Sequence, residues 1–239
     1  MNEPRHAKLV GGVWLPKSEV HFEDMMLRNP KRMRVVDGKH TYQYHKIEAA
    51  LLRQSVARRR VCLDIGAHAG LWAMWLTKSF EIVHSFEPVP LHADLYERNV
   101  DMTKARLYRT ALGKEACTVT LTMPLEHTGS THIETSQPQP SAKDNPGGKS
   151  DTLHGVPMTT LDSLGFENVD FIKIDVEGYE LPVIDGGRET ILRWRPNIVV
   201  EQKGNDVAFG DPRNAALSRL KDWGMRELQV ISGDYIMGW

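Results

Sequence analysis

With only two cysteines in 239 residues, Cys62 and Cys117, the chain cannot build a disulfide framework or a cysteine-rich zinc cluster. Both lie in strand-like runs, VCLDI and ACTVTLT, so buried free thiols are expected. No apolar run approaches the roughly 20 residues of a membrane span. The opening MNEPRHAKLVGG lacks the apolar core of a signal peptide, so the expectation is a soluble, cytoplasmic protein with no membrane contact. Neither sign of charge dominates, since 30 Lys+Arg stand against 31 Asp+Glu. There is no Ser-His-Asp spacing and no internal repeat.

The charge that is present is unevenly spread. Residues 1–60 carry 13 Lys+Arg against 6 Asp+Glu, and the remainder carries 17 against 25. Much of the basic excess sits in RNPKRMR (Arg28 to Arg34) and RRR (Arg58 to Arg60), neither interleaved with the aromatic residues of a single-strand nucleic-acid platform. A basic arm, residues 1–43, is expected to precede the main domain, residues 44–239, with Tyr42, Tyr44 and His45 as candidate lid residues. Such an arm is a solvated surface or an attractor of anionic substrates.

From Tyr44 onward the pattern alternates. YHKIEAALLRQSVARRR places Ile47, Leu51, Leu52 and Val56 on one helical face. Apolar runs at VCLDI, EIVHSFEP, RLYRTALG, VDFIKIDV and NIVVEQ read as strands, with helical stretches LWAMWLTKSF, LHADLYERNV and EGYELPVIDGGRETILRWRP between them. Gly186 and Gly187 should split the last of these. Strands apolar on both faces that alternate with helices predict an α/β, doubly wound, mostly parallel sheet. Near the end, Asp211 and Pro212 read as the start of a helix stopped by Gly224. RELQVISGDYIMGW then reads as two strands joined too tightly for a parallel crossover, so the last strand should be antiparallel. Residues 123–157 are polar, rich in proline and glycine, and lack a core pattern. A mobile insertion is expected there.

Doubly wound sheets bind ligands beyond the carboxyl ends of their strands. After the first strand come Asp64 and GAHAG, in which Gly66 permits a tight turn and Gly70 opens a helix whose free N–H groups favour a negative group. Glu87, 23 residues beyond Asp64, follows the second strand, where an acid can accept the hydroxyls of an adenosine ribose. A nicotinamide fingerprint would need G-x-G-x-x-G, but its second and third glycine places hold His68 and Leu71. S-adenosylmethionine has no phosphate to seat at this turn, so the departure favours the methyl donor.

LDIGAHAG (Leu63 to Gly70), SFEPVP, ALG (Ala111 to Gly113), MTTLDSL, FIKIDVEGYELPVIDGG (Phe171 to Gly187) and RPNIVVEQ fall in one order over much of the chain. In these motifs the sequence resembles the FkbM-type class I methyltransferases. The resemblance implies a seven-stranded Rossmann-like methyltransferase sheet with an antiparallel last strand. It also implies a methionine-end site at Asp64, Gly66, Ala67 and Gly70, with His68 where the family commonly has asparagine. Glu87, with Pro88 after it, would take the ribose, and Ala111 would lie near the adenine.

The acids of FIKIDVEGYE then need roles. If the acceptor is a hydroxyl, a base must remove its proton or a metal must acidify it. Asp175 is expected beside the transferred methyl as base, or as holder of the cofactor's ammonium and the acceptor. Glu177 divides between helix start and catalysis, and Glu180 is expected to be structural, as a solvated or paired helix acid or bonded back to free N–H groups or to the basic arm. A divalent metal at Asp175 and Glu201 is the less favoured arrangement. His127, His132 and His154 lie in or beside the insertion, from which one could swing over the site as a base.

The leading reading is an S-adenosylmethionine-dependent O-methyltransferase acting on a small-molecule or glycan-like hydroxyl. The competing readings are an NAD-dependent oxidoreductase and a non-catalytic module that binds nucleic acid or a partner. The amino-methylating run Asn/Asp-Pro-Pro-aromatic is replaced by DVEGY after the fourth strand, which tilts the acceptor atom towards oxygen.

Overall fold

The structure, a computed structural model, describes residues 5–28, 34–134 and 148–239. A hairpin of β1 (Ala7–Val10) and β2 (Val13–Pro16), helix α1 (His21–Arg28) and a second hairpin, β3 (Arg34–Val36) and β4 (Lys39–Thr41), come first. Then follow α2 (Tyr44–Leu52), β5 (Val61–Ile65), α3 (Ala73–Leu76), β6 (Ile82–Phe86), α4 (Pro90–Asn99), β7 (Ala105–Tyr108) and β8 (Ala111–Leu112). Strands β9 (Cys117–Pro124), β10 (His132–Ile133) and β11 (Ser150–Thr159) lead to β12 (Val169–Ile174) and helices α5 (Glu180–Asp185) and α6 (Arg188–Trp194). The chain closes with β13 (Asn197–Glu201), α7 (Ala215–Asp222), β14 (Arg226–Ile231) and β15 (Asp234–Gly238).

Seven of these strands form the main sheet in the order β14-β15-β13-β12-β5-β6-β7. Neighbours from β13 to β7 pair in parallel, and β15 runs antiparallel to both β13 and β14. The expected doubly wound sheet with its antiparallel last strand is therefore present. Every residue of β12 is buried, because helices cover both faces. Phe171, Ile172 and Ile174 each stabilise the fold by about 2 kcal/mol through removal from water. Alternation along the strands feeds two cores. Cys62, Phe171 and Val199 pack with α2, α3, α4 and the arm, while Leu63, Ile172 and Val200 pack with α5, α6 and α7.

Strand order runs outward from β5 through β6 and β7 on one side and through β12 and β13 on the other. The switch point thus lies between β5 and β12, where a ligand crevice is expected. A second sheet, β10-β9-β11-β8, stands beside it and carries its own small core of Val89, Leu121, Met123 and Val156. Among the described residues no helix is long and apolar enough to cross a membrane.

Several sequence expectations are corrected. The helix from Tyr44 stops at Leu52, leaving Leu52 and Val56 exposed. The chain turns there because it must deliver Arg58 and Arg60 to Asp170, and the turn is satisfied by Gln54 and Arg59 side chains donating to nearby carbonyls. RLYRTALG is not one strand, since Ala111–Leu112 leaves the main sheet and pairs with β11. Helix α7 begins at Ala215, three residues beyond the Pro212 start; the Asp206 carboxylate, not Asp211, accepts the Ala215 N–H. Cys117 is exposed, and only Cys62 is buried. The insertion is ordered at both ends, where β9 and β11 pair antiparallel and bury Met123 and Val156. Its centre, 135–147, lies outside the described residues, as does most of RNPKRMR.

Candidate active site

At the end of β5 the backbone N–H groups of Gly66 and Ala67 both donate to the Phe86 carbonyl, at 3.1 and 3.0 Å. Gly66 needs its left-handed φ of 77°, and a Cβ there would stand 1.9 Å from the Asp175 carbonyl oxygen. His68 also has a left-handed backbone, φ 49°, a region that histidine and asparagine enter more readily than most residues. Its N–H donates to Glu87 Oε2 at 2.8 Å, while Val89 N–H donates to Oε1 at 2.9 Å. One oxygen of Glu87 thus holds the turn after β5 and the other the loop after β6.

These segments wall a cavity lined by Gly66, His68, Glu87, Pro88, Ala111 and Asp175, with apolar sides from Ile65, Phe86, Leu112 and Ile133. Its walls are largely apolar with a few polar groups, the usual lining of a small-molecule site. Asp64 is fully buried beneath the turn, 3.6 Å from Lys173 Nζ, and neither of its oxygens has a hydrogen-bond partner. Burial pushes its pKa up to about 6, against the pull of Lys173. Gly70 lies behind the site, packed on Val100 and Tyr96. The expected ligand-binding helix start after Gly70 is corrected: α3 has only four residues and begins at Ala73.

A second cavity adjoins the first. Both are lined by Gly66, His68, Gly129, Asp175 and Glu177, so this set forms their junction. Ala67, Leu71 and Trp72 line the second cavity, as do His21, Phe22, Tyr42 and Gln43 from the arm and its continuation. His127 lines it too, His132 lines the first cavity, and His154 stands away on β11 beside Thr120. Tyr44 packs instead on Trp75 and Arg34.

The second cavity has an ionic floor. Carboxylate oxygens of Asp175, Glu177 and Glu201 lie within 4.8 Å of one another. Burial works against the Asp175 carboxylate, but Lys173, Lys203 and Lys46 outweigh it and hold its pKa below the ordinary value. Burial and then Asp175 raise Glu177 to about 8, and the same two causes with Glu177 added push Glu201 well above the usual range. Like charges this close cannot all ionise without counter-charge. That counter-charge comes from Lys173, 3.5 Å from Asp175, and Lys203, 2.5 Å from Glu201. Glu177 has a left-handed φ of 54°, a strained state for glutamate, and Asn205 Nδ2 donates to it at 2.9 Å. The three carboxylates match the donor set of a hard cation, but two ammonium groups already stand against that set.

Glu180 plays another part. It accepts N–H bonds from Val176 at 3.2 Å and Gly178 at 3.0 Å, and Gln202 Nε2 donates to its other oxygen at 3.1 Å. It is a buried clamp on the loop that carries Asp175 and Glu177.

Sequence reasoning missed Lys173, Lys203, Lys46 and Asp234. A lysine inside the apolar run FIKI was a readable signal, because an ammonium in a fully buried strand requires an acid partner. Lys46 and Asp234 form a buried pair at 2.6 Å across 188 positions of sequence, which no local pattern reveals. RRR, by contrast, is structural. Arg60 grips Asp170 through Nε and Nη2 at 2.9 and 2.7 Å, and Arg58 holds the Trp194 and Arg195 carbonyls at 2.7 and 2.9 Å. These arginines serve the amino end of the sheet, opposite the cavities.

A model of the methyltransferase FkbM domain matches residues 64–226. No curated protein matches the chain. Among solved structures, a methyltransferase FkbM from Methylobacillus flagellatus KT is similar with a TM-score of 0.47 and 20% identity over 79% of this chain. The match covers 45% of that protein, so the chain spans less than half its length. A putative O-methyltransferase from Klebsiella pneumoniae shares 16% identity over 90% of this chain and 88% of its own, with a TM-score of 0.46. For an O-methyltransferase from Bacillus cereus in complex with SAH the figures are 14%, 82%, 80% and 0.42.

Proposed function

Because the chain belongs to the methyltransferase FkbM domain family, and so is an S-adenosylmethionine-dependent methyltransferase, we propose that it methylates a hydroxyl of a small-molecule or glycan-like acceptor, with Glu177 taking the proton. The observation that carries this reading is the junction of two cavities at Asp175 and Glu177: one cavity has largely apolar walls and the other an acidic floor. Glu87, which lines the first cavity and holds the turn and the loop after β6 with its two oxygens, supports a ribose-bearing ligand there, while Asp64 lines neither cavity and pairs with Lys173 beneath the turn. When bound, the cofactor supplies an electrophilic methyl on a sulfonium, which passes to the acceptor oxygen as the carbon–sulfur electrons return to sulfur.

The residues of the chain do the rest. Glu87 and the Gly66–His68 turn hold the nucleoside, Ala111 and Pro88 line its cavity, and Ala67 faces the acceptor side. Asp175, kept ionised by Lys173 and Lys203, orients the cofactor's positive end and the acceptor. Glu177, with a pKa near 8, is the better proton acceptor of the pair, because a base works best when its conjugate acid titrates near the working pH. Phe22, Tyr42 and Trp72 give the acceptor flat apolar walls, and Gln43 and His21 give it polar ones. In this reading residues 1–43 act as a lid over residues 44–239. Lys173 and Lys203 supply the counter-charge a metal would otherwise bring to the three carboxylates. The side chain of His68 at the second glycine place leaves no bare backbone for a pyrophosphate, which weighs against a nicotinamide cofactor.

Calorimetric titration of the protein with S-adenosylmethionine, with Glu87→Ala as control, tests the reading. Binding by the intact protein and its loss in the variant are expected. No binding by the intact protein overturns it.

A further inference from the structure

A fully buried glutamate that precedes α1 reaches the turn after β5 through two hydrogen bonds. Glu19 Oε1 accepts the Phe22 N–H at 3.0 Å, and Oε2 accepts both the N–H and the hydroxyl of Thr128, each at 2.6 Å. Thr128, also fully buried, opens the short 3₁₀ turn Thr128–Ser130 between β9 and β10. Its Oγ1 lies 2.9 Å from Nε2 of His68.

The direction of each proton follows from what each group can do. A carboxylate only accepts, so the Thr128 hydroxyl proton points at Glu19. The hydroxyl oxygen then faces His68 as an acceptor, and Nε2 of His68 must carry a ring proton. Burial, with His92, Lys173 and His127 adding to it, holds the His68 pKa well below its ordinary value, so the ring is neutral and Nδ1 is a bare lone pair. That atom is buried and has no hydrogen-bond partner among the described residues, while the ring lines both cavities. A buried acceptor left without a partner is destabilising, and a donor on a ligand would satisfy it.

We propose that Glu19 and Thr128 are positioning residues that hold His68 as the Nε2–H tautomer, so that its Nδ1 accepts a hydrogen bond from an N–H or O–H of the bound cofactor. This rests on the methyl-donor reading of the cavities. It has a physical purpose beyond one contact. The opposite tautomer would set a donor against the ligand's donors, and an imidazolium would repel a sulfonium. The relay also joins three distant segments, the arm at Glu19, the second sheet at Thr128 and the turn at His68.

The test is nitrogen-15 NMR of histidine-labelled full-length protein, with His68→Asn used to assign the ring, before and after addition of S-adenosylhomocysteine. Calorimetry on the same sample reports binding. In the ligand-free protein His68 should show a protonated Nε2 and an unprotonated Nδ1. On binding, the Nδ1 signal should move as its lone pair is engaged, while Nε2 stays. Thr128→Val, nearly isosteric but without the hydroxyl, should lose the tautomer preference and weaken binding about tenfold, a loss of about 1.4 kcal/mol; Thr128→Ser should restore both. Weaker binding in Thr128→Val with the tautomer unchanged would mark a merely structural threonine and overturn the relay. A ring protonated at Nδ1 in the wild-type protein, or an Nδ1 signal unmoved in a sample that calorimetry shows to be loaded, overturns the inference and leaves the methyl-donor reading standing. Absence of calorimetric binding overturns that reading and the cofactor contact together. The wild-type spectra decide the matter even if Thr128→Val does not fold.

Discussion

The carbonyl oxygen of Asp175 occupies the space that a side chain on Gly66 would need, 1.9 Å from the ideal Cβ position. The exits of β5 and β12 are thus pressed together at the switch point. They are fastened by the Asp175 N–H to the Ile65 carbonyl at 3.1 Å and by Lys173 Nζ to the Gly66 carbonyl at 2.8 Å. Gly66→Ala combines this clash with a left-handed backbone, and a cost of about 2–5 kcal/mol is expected. Thermal unfolding should show the fall, and S-adenosylmethionine binding should fall with it. An unchanged melting temperature would show that the two exits are free to part.

Glu177→Gln should lower kcat by about 10²–10⁴-fold, as expected when a proton acceptor is removed. In the wild-type protein the rate should rise with pH through about 8 as Glu177 loses its proton, and the variant should lack that limb. The apparent value belongs to the coupled carboxylates together. The folded-state pKa is raised, so the folded protein keeps a proton that the unfolded chain gives up. Stability therefore falls as pH rises from the ordinary glutamate range through about 8. Glutamine escapes that loss. The variant should melt about 2–4 °C above wild type at alkaline pH for each 1 kcal/mol relieved, and close to it at pH 4. A variant that retains the alkaline limb assigns the proton to another group.

Asp175→Asn should reduce turnover and weaken binding of the cationic cofactor, since it removes the ionised carboxylate at the junction. It should also move the rising limb of the pH profile to lower pH, because Asp175 is one of the charges that raise Glu177. A full pH profile of kcat and KM separates the two effects. A variant with wild-type turnover and an unmoved limb would remove Asp175 from the chemistry.

Asp170→Ala should cost about 1–3 kcal/mol, the loss of charge-assisted hydrogen bonds from half-exposed arginines that can return to water. The side chain of Asp170 is fully buried and held by Arg58 and Arg60. Unfolding in urea should register the loss while S-adenosylmethionine affinity stays at its wild-type value, since the cluster lies at the opposite end of the strands. A variant of wild-type stability would return the arginines to the role of a ligand-attracting patch.

How much of this was legible in the sequence depended on the range of the interaction. The strands at VCLDI, IVHSF, VDFIKI and NIVVE could be read because burial on both faces leaves a continuous apolar run, and the split at Gly186 and Gly187 because glycine pairs interrupt helices. Glu87 was readable from its distance to Asp64. The helix from Tyr44 was overextended because Leu52 and Val56 match a helical face, yet the chain bends to serve an ion pair with Asp170, a partner 110 residues on from Arg60. Lys46 with Asp234 and Glu19 with Thr128 are tertiary pairings, and their only local sign is a charge without a neighbour to satisfy it. The arm was the least legible part. Its apolar residues Val10, Val13, Leu15 and Met26 have no single period because they are divided among short hairpins and one helix, all packed against the main core.

Strand β15 is inserted between β13 and β14, both of which precede it in the chain. Without residues 234–238, β13 would present an open edge, β14 would have no strand to join, and Lys46 would lack the Asp234 carboxylate that neutralises it. The β14–β15 hairpin therefore works as a latch: it closes the sheet and, through Asp234, sets part of the charge felt by Glu201.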